Sequence, residues 1–231
     1  NEEELATVEA VLQDGPFEFE GIVTHFATAD EADTTQLTKQ IEKFRHLVDE
    51  LSVKPAHVHY SNSAYALWHG AGDSAIVRYG IGIYGINPSN GDLALKDESS
   101  LTPALRWETE MVKVKKLEAG DTVSYGATYT AEEEQWVATL PVGYADGYIR
   151  AYNKGEVLVD GVRCPIVGRI CMDQCMIRLP HEFPVGTTVT LLGKDGYEEI
   201  TAIELAKRSE TIAYEVLCII SDRVKRVYMN D

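Results

Sequence analysis

Positive charge is scarce in this chain. Its 231 residues hold 21 Lys and Arg against 37 Asp and Glu, a formal net charge of −16. Such a surface repels phosphate backbones, which argues against a nucleic-acid partner. Long apolar runs are missing too. Nothing approaches the about 20 residues needed to cross a bilayer, and no signal-peptide pattern opens the chain, so no membrane partner and a cytoplasmic location are expected. Cysteine is also rare. Cys164, Cys171, Cys175 and Cys218 supply no second pair at ligand spacing, so a metal site has weak support and reduced core thiols are the better reading. No internal repeat or low-complexity tract is visible. What is present is a globular composition, 45% hydrophobic and 25% charged, in a length that suits one large domain or two ordinary ones.

The first part of the chain alternates helix and strand signals. Residues 2–12 (EEELATVEAVL) read as a helix with acids in its first turn, where the dipole favours them. Phe17 to Phe26 (FEFEGIVTHF) reads as a strand. Leu37, Ile41, Phe44, Val48 and Leu51 then recur at intervals of four and three, which places one apolar face on a helix capped by Asp33, Thr34 or Thr35. A strand at 57–62 (HVHYSN), a short helix from Ser63 to Trp68 and a strand from Ala75 to Tyr79 follow. This is the pattern of parallel βα units. Only about three strands are there, against the eight of a closed barrel. An open parallel sheet would leave long unpaired edges, so the chain is expected to be the latter part of a barrel whose earlier strands are supplied elsewhere.

After the turn-rich Asn87-Pro88-Ser89-Asn90-Gly91 the pattern changes. From about Leu101 the runs are short, apolar and β-branched between glycine turns: EMVKVKKL, TVSYGATYT, QWVATLPVG, GEVLVDG, RCPIVG, CMIRL and TTVTLLG. They signal an antiparallel β-domain. Thr201 to Glu204 forms a capping-box pattern for one helix, and VLCII (216–220) reads as a last strand. The fold class expected is α/β plus all-β: part of a (β/α)8 barrel in residues 1–100, then a mainly antiparallel β-domain in 101–231.

Gly80 to Gly85 spell GxGxxG after a strand, but Ile86-Asn87-Pro88 prevents the helix a dinucleotide fingerprint must open. The amides of Gly80 and Ile81 can still approach a phosphate closely. Arg78, His25 and His59 all stand at the carboxyl ends of expected barrel strands, where side chains of barrel enzymes face the site. One such histidine is more often structural, whereas three polar strand ends favour a site. Ser63 reads either as an anion ligand at a helix start or as an ordinary N-cap. In the second part, Tyr125, Tyr129 and Tyr144 each lie near a glycine, so a phenol can point into a cavity. A phenol with an ordinary pKa of about 10 is a weak base at neutral pH without help from neighbours. By themselves, tyrosines covering a sheet edge explain the pattern as well.

Several stretches together resemble the alanine racemases: THFATADE (24–31), His59 with NSA (62–64), RYGIGIYG (78–85), SYGATYTA (124–131), VGYADG (142–147), GRICMDQ (168–174) and YEV (214–216). They keep that family's order and nearly its spacing. The resemblance implies a barrel that binds pyridoxal 5'-phosphate, a β-domain behind it, and a head-to-tail homodimer with sites shared between subunits. It implies that Tyr125 is one of two bases that exchange the α-proton. Met172 would meet the substrate carboxylate through its backbone, with Asp173 beside it. Ser63, Gly80, Ile81 and Tyr214 would bind the cofactor phosphate. Arg78 would bond the ring nitrogen with support from His59, and His25 would link that arginine to the tyrosine. Tyr144, Arg150 and Arg169 would line the entry path. The implied reaction interconverts L- and D-alanine, the latter for peptidoglycan.

One departure from the family is large. The lysine that carries the cofactor and serves as second base has no counterpart here, nor do an early phosphate-binding tyrosine, a carbamylated lysine and a carboxylate-orienting arginine. Lys39, Lys43 and Lys54 fall in or just after the helix at 35–51. The isolated chain is therefore expected to be inactive without the missing amino-terminal barrel part. A racemase for serine or another small amino acid, and a cofactor-binding protein without catalysis, are the alternatives.

Overall fold

The computed structural model describes residues 2–95 and 101–229. The chain divides into two compact units, Asn1–Thr102 and Pro103–Asp231. A boundary at residue 100 lies outside the described residues.

The first unit opens with α1 (Glu2–Asp14). β1 (Gly21–Val23) is shorter than the expected run from Phe17 to Phe26. Only the end of the FEFE stretch meets the chain entering β2, the Phe19 and Glu20 carbonyls accepting the Ala56 amide at 3.4 Å and the His57 amide at 2.8 Å, and Phe17 stays exposed. In α2 (Thr35–Glu50), Leu37 and Phe44 are buried, with Ile41 and Val48 packed against the same core. Of the expected caps, Thr34 occupies the cap position without a side-chain bond, and Asp33, one residue earlier, accepts the Thr35 amide at 2.9 Å. The 57–62 segment is split in two: β2 (His57–His59) pairs in parallel with β1, and β3 (Ser61–Asn62) precedes α3 (Ser63–His69). β4 (Val77–Arg78) then pairs in parallel with β3, Asn62 opposite Arg78. One segment thus has a parallel neighbour through 57–59 and another through 61–62, as βα units require. Phe26, Ala29, Tyr60, Ala64 and Tyr65 join Leu37 and Phe44 in one core. The Asn87–Gly91 turn is tied in rather than loose: Asn87 Oδ1 accepts the Ser89 amide at 3.0 Å and its Nδ2 donates to the Leu93 carbonyl at 2.9 Å.

The second unit is built on one antiparallel sheet. Its strands are β5 (Trp107–Glu110), β6 (Lys113–Leu117), β9 (Gln135–Leu140), β10 (Glu156–Val159), β11 (Val162–Val167), β12 (Cys175–Leu179), β13 (Thr188–Asp195) and β14 (Glu198–Ile200), and a separate hairpin pairs β7 (Thr122–Val123) with β8 (Tyr129–Thr130). The order is β14-β13-β10-β11-β12-β9-β6, with β5 added on β13. Cys164 and Ile166, and Cys175 and Ile177, are buried at two-residue spacing, whereas β10 and β13 are covered on both faces, with Val157, Leu158, Val159, Val189, Thr190, Leu191 and Leu192 all buried. Burial pushes the Cys175 thiol far up and the Cys164 thiol up to about 11, so both stay neutral sulfhydryls. Cys171 does not share a strand with Cys175, since it lies in the turn before β12.

Two helices close this unit. In α4 (Ala202–Arg208), Thr201 Oγ1 accepts the Glu204 amide at 3.0 Å. The reciprocal half of the capping box is missing because the Glu204 carboxylate is taken by Arg163 and Arg208. VLCII is not a strand. Residues Ala213–Cys218 form α5, with Ala213 and Val216 buried on one face of the helix and Ile220 buried just beyond its end.

Arg163 joins three elements of this unit. Its guanidinium donates to Glu198 at 2.7 Å, to Glu204 at 2.9 Å and to the Glu199 carbonyl at 2.7 Å, so β11 holds β14 and α4. Only a planar fork serves all three acceptors. Arg163→Ala is therefore expected to lower unfolding stability by about 1–2 kcal/mol in urea titration, a modest figure because the carboxylates are part-exposed, and Arg163→Lys to recover less than half of it. An unchanged urea midpoint would show that the cluster contributes nothing.

Candidate active site

In the first unit the strand ends converge on Arg78. Its Nη1 lies 2.7 Å from His59 Nδ1, and its Nη2 donates to the Thr24 carbonyl at 2.8 Å and lies 3.4 Å from His25 Nδ1. A guanidinium can only donate, so His59 Nδ1 accepts and the neutral ring keeps its proton on Nε2. Desolvation first, and the Arg78 charge second, lower the pKa of His59 below its ordinary value. The loop after β1, the end of β2 and the end of β4 thus meet at one cation.

Ser63 lies beside this cluster in the chain's own logic, as the residue after Asn62, which pairs with Arg78. Its buried hydroxyl accepts the Gly80 amide at 2.8 Å and the Gly82 amide at 3.4 Å. It is not the N-cap of α3. Asn62 has that role, its Oδ1 accepting the Tyr65 amide at 2.9 Å. A Cβ built on Gly80 would find nothing nearer than that hydroxyl, 3.9 Å away, so the backbone there faces open space. Ile81 begins a single 3-10 turn, Ile81–Tyr84, which stops at Gly85 in the left-handed region (φ 70°) instead of opening a long helix.

In the second unit the loops at the ends of β7, β9, β11 and β12 are laced together. The turn 124–127 joins β7 to β8, and Tyr125 at its tip is 76% exposed. The turn bends sharply, with Ser124, Gly126 and Ala127 at φ 74°, 75° and 46°. Ser124 Oγ accepts the Arg169 amide at 2.8 Å and donates to the Arg169 carbonyl at 3.1 Å. The Arg169 guanidinium passes over Gly126, 3.6 Å from where a Cβ would stand. Asn153 Oδ1, at the end of the 3-10 turn Arg150–Tyr152, accepts the Ile170 amide at 2.9 Å, which ties the Arg150 turn to the same loop. Tyr144 heads the 3-10 turn Tyr144–Asp146. Its amide donates to the Cys171 carbonyl, and the Ala145 amide to the Met172 carbonyl, both at 3.0 Å. Met172 and Asp173 are exposed in the loop so held. Tyr214 stands in the first turn of α5, on a different element.

Two residues that sequence reasoning did not single out hold this region together. Asp146 is buried, 8% exposed, and its Oδ2 accepts the Gly143 amide at 2.9 Å. Arg223 reaches Asp146 Oδ1 through Nε at 3.3 Å and Asp173 Oδ1 through Nη2 at 2.7 Å. Asp146 lies inside the quoted VGYADG stretch, and its burial could have been guessed from glycines on either side. Arg223 sits in an ordinary charged run, DRVKR, and nothing local marks it. No group of His, Cys, Asp and Glu among the described residues is arranged to hold a metal ion.

The His59 geometry has a pH consequence. The folded ring resists a proton that the unfolded chain accepts near 6.5. Its contribution to stability is therefore present above that value and is lost as pH falls below it. NMR titration of the ring should give a midpoint below 6.5. A midpoint at or above the ordinary value would mean that Nδ1 does not accept from Arg78.

Comparison with known proteins follows the same division. Residues 1–88 match the family model described as alanine racemase, N-terminal domain, and residues 104–228 match alanine racemase, C-terminal domain. The chain is 50% identical over 230 residues to the alanine racemase of Lactiplantibacillus plantarum, covering 99% of itself and 61% of that protein. It is 49% identical over 216 residues to that of Pediococcus pentosaceus, covering 94% of itself and 57% of the relative. Among solved structures, alanine racemase from E. faecalis superposes with a TM-score of 0.92 at 50% identity, over 96% of this chain and 60% of that one. A histidine racemase from Leuconostoc mesenteroides subsp. sake does so with a TM-score of 0.90 at 34% identity, over 99% of this chain and 62% of that one. The chain thus spans about three-fifths of the length of the relatives it matches, 57–61% for the two curated ones. These likenesses establish the fold class expected from the sequence, part of a (β/α)8 barrel followed by a mainly antiparallel β-domain. On the strength of two matched domains, the chain belongs to the alanine racemase family.

Proposed function

We propose that this chain forms part of a pyridoxal-phosphate-dependent alanine racemase, which interconverts L- and D-alanine and supplies D-alanine for peptidoglycan. The observation that carries the reading is the Arg78 cluster at three strand ends, next in sequence to the Ser63–Gly80 contact. The donor set suits the cofactor. The Ser63 hydroxyl, which accepts the Gly80 amide and keeps its own proton to donate, suits a phosphate together with the Ile81 amide, and the Gly80 amide would turn from Ser63 to it in the open space there; the family resemblance adds Tyr214. A guanidinium suits a ring nitrogen that accepts a hydrogen bond, and it keeps its own proton. When bound, pyridoxal phosphate supplies an electron-withdrawing ring conjugated to the substrate nitrogen, which acidifies the Cα–H.

The chain's own residues would do the rest. Arg78, braced by His59 and His25, orients the ring and leaves its nitrogen unprotonated, which limits side reactions. The Tyr125 hydroxyl takes or returns the proton at Cα on one face. The Met172 amide, which has no acceptor among the described residues, suits the substrate carboxylate, with Asp173 next to it. Tyr144, Arg150 and Arg169 line the approach. Racemisation needs a second base on the opposite face. No lysine of this chain matches that role, so we assign it to a lysine outside these 231 residues. The isolated chain is then inactive. The exposed tip of the Tyr125 turn suits a site shared between two subunits of a homodimer.

Substrate choice is the finer question, because a histidine racemase shares this fold and the residues assigned here fix cofactor and base better than side-chain size. The test is kcat/KM of the whole racemase for L-alanine, L-serine and L-histidine. We expect alanine to lead serine by about tenfold or more, the discrimination that one added hydroxyl in a small pocket allows, and histidine to be excluded. Equal values for alanine and serine would favour a broad small-amino-acid racemase.

A further inference from the structure

Arg223 is an exposed cation that makes two bonds of unequal meaning. Ion pairs at such exposure contribute little to stability, on the order of 0.2–1 kcal/mol. Its geometry, however, is unusually well defined. The turn it grows from is fixed to the Tyr144–Asp146 turn, for the Ser221 amide donates to the Asp146 carbonyl at 3.0 Å. Gly147 packs so closely on the Ile219 carbonyl and Ile220 that no Cβ fits, and its φ is 100°. From this base the guanidinium spans from Asp146 Oδ1 at 3.3 Å to Asp173 Oδ1 at 2.7 Å. Asp146 in turn holds the Gly143 amide with its other oxygen, at 2.9 Å.

The 171–173 loop is therefore gripped from two sides by two turns that are bonded to each other. On one side the Tyr144 and Ala145 amides take the Cys171 and Met172 carbonyls, both at 3.0 Å. On the other, Arg223 takes the Asp173 carboxylate. Without Arg223 only those two carbonyl contacts hold the loop, so it pivots and they open more often, and the Asp173 and Asp146 carboxylates lose the cation they share. Two acids left in that relation repel each other.

We propose that Arg223 is a positioning residue that fixes the 172–173 loop for the substrate carboxylate, acting through Asp173 and Asp146 without touching substrate itself. This deepens the racemase reading and rests on its assignment of Met172. A loop that pivots loses carboxylate binding in ground state and transition state alike, which raises KM and leaves kcat in place.

The test uses the whole racemase with Arg223→Ala, Arg223→Gln and Arg223→Lys. For Arg223→Ala and Arg223→Gln we expect KM for L-alanine to rise about tenfold with kcat within about threefold, and the inhibition constant of propionate, a carboxylate without the amine, to rise in parallel. Arg223→Lys should recover part of both. Independently of turnover, hydrogen exchange at the Tyr144 and Ala145 amides should speed up in the Ala and Gln variants. If Arg223→Ala does not fold, Arg223→Gln decides the matter. KM and propionate inhibition unchanged within twofold would overturn the proposal, as would a fall in kcat and thermal stability with propionate inhibition unaltered. A wild-type protein that racemises histidine but not alanine would defeat the substrate reading alone, and the same variants with histidine as substrate would then support the role of Arg223 by a parallel rise in KM and propionate inhibition constant, or overturn it by none.

Discussion

Backbone-on-backbone contact is the constraint on which the second unit depends. Gly143 lies against the carbonyls of Cys171 and Met172 so tightly that any Cβ would displace them. Gly147 meets Ile219 and Ile220 in the same way, and Gly168, at φ 73°, has room for no Cβ beside Ser124, whose own Cβ would be 2.5 Å away. Three glycines thus let loops from four strand ends approach to hydrogen-bonding distance, where a larger residue would hold them apart. The backbone is locked while the side chains it carries point outward. Tyr125, Met172 and Tyr144 are exposed on loops whose main chains are hydrogen-bonded to neighbouring loops. That combination is what a site needs: precise placement with accessible groups.

The first unit reaches a comparable result by charge. Arg78 cannot lose its proton, so its neighbours must be acceptors, and they are: a carbonyl and two imidazole nitrogens from two other strand ends. Desolvation first, and this permanent cation second, drive His59 towards its neutral form. The same logic restricts what the cluster can serve. It can donate to a ligand nitrogen or anion and cannot act as an acid.

How much of this was legible depended on whether the deciding interaction was local. The helix Thr35–Glu50 was plain because its apolar spacing is written into consecutive turns. The strand ends at His59 and Arg78 were found because parallel βα alternation forces polar residues to appear there. VLCII misled because five apolar residues fit helix and strand equally, and it is the burial of Ala213 and Val216, three apart, that selects the helix. FEFE misled because alternation alone does not set where a ladder begins: only the Phe19 and Glu20 carbonyls bond the chain entering β2, and the strand proper starts at Gly21. Ser63 looked like a cap, but its neighbour Asn62 supplied the oxygen. Arg223 was invisible, since its partners Asp146 and Asp173 lie 77 and 50 residues away, separations that leave no pattern in sequence.

The central claim is that Tyr125 is one of two bases in a racemase, and replacing it with phenylalanine in the whole protein tests it most directly. Tyr125→Phe removes one hydroxyl from an exposed turn tip and leaves the backbone contacts of that turn in place. Racemisation should fall about 10²–10⁴-fold in both directions, because each direction needs a proton moved on the tyrosine face. Exchange of the α-proton with deuterium oxide should persist for the enantiomer whose proton lies on the opposite face. A Tyr125→Phe protein that racemises alanine at the wild-type rate would contradict the account. So would a wild type that binds pyridoxal phosphate yet exchanges no α-proton, the behaviour of a binding protein without catalysis.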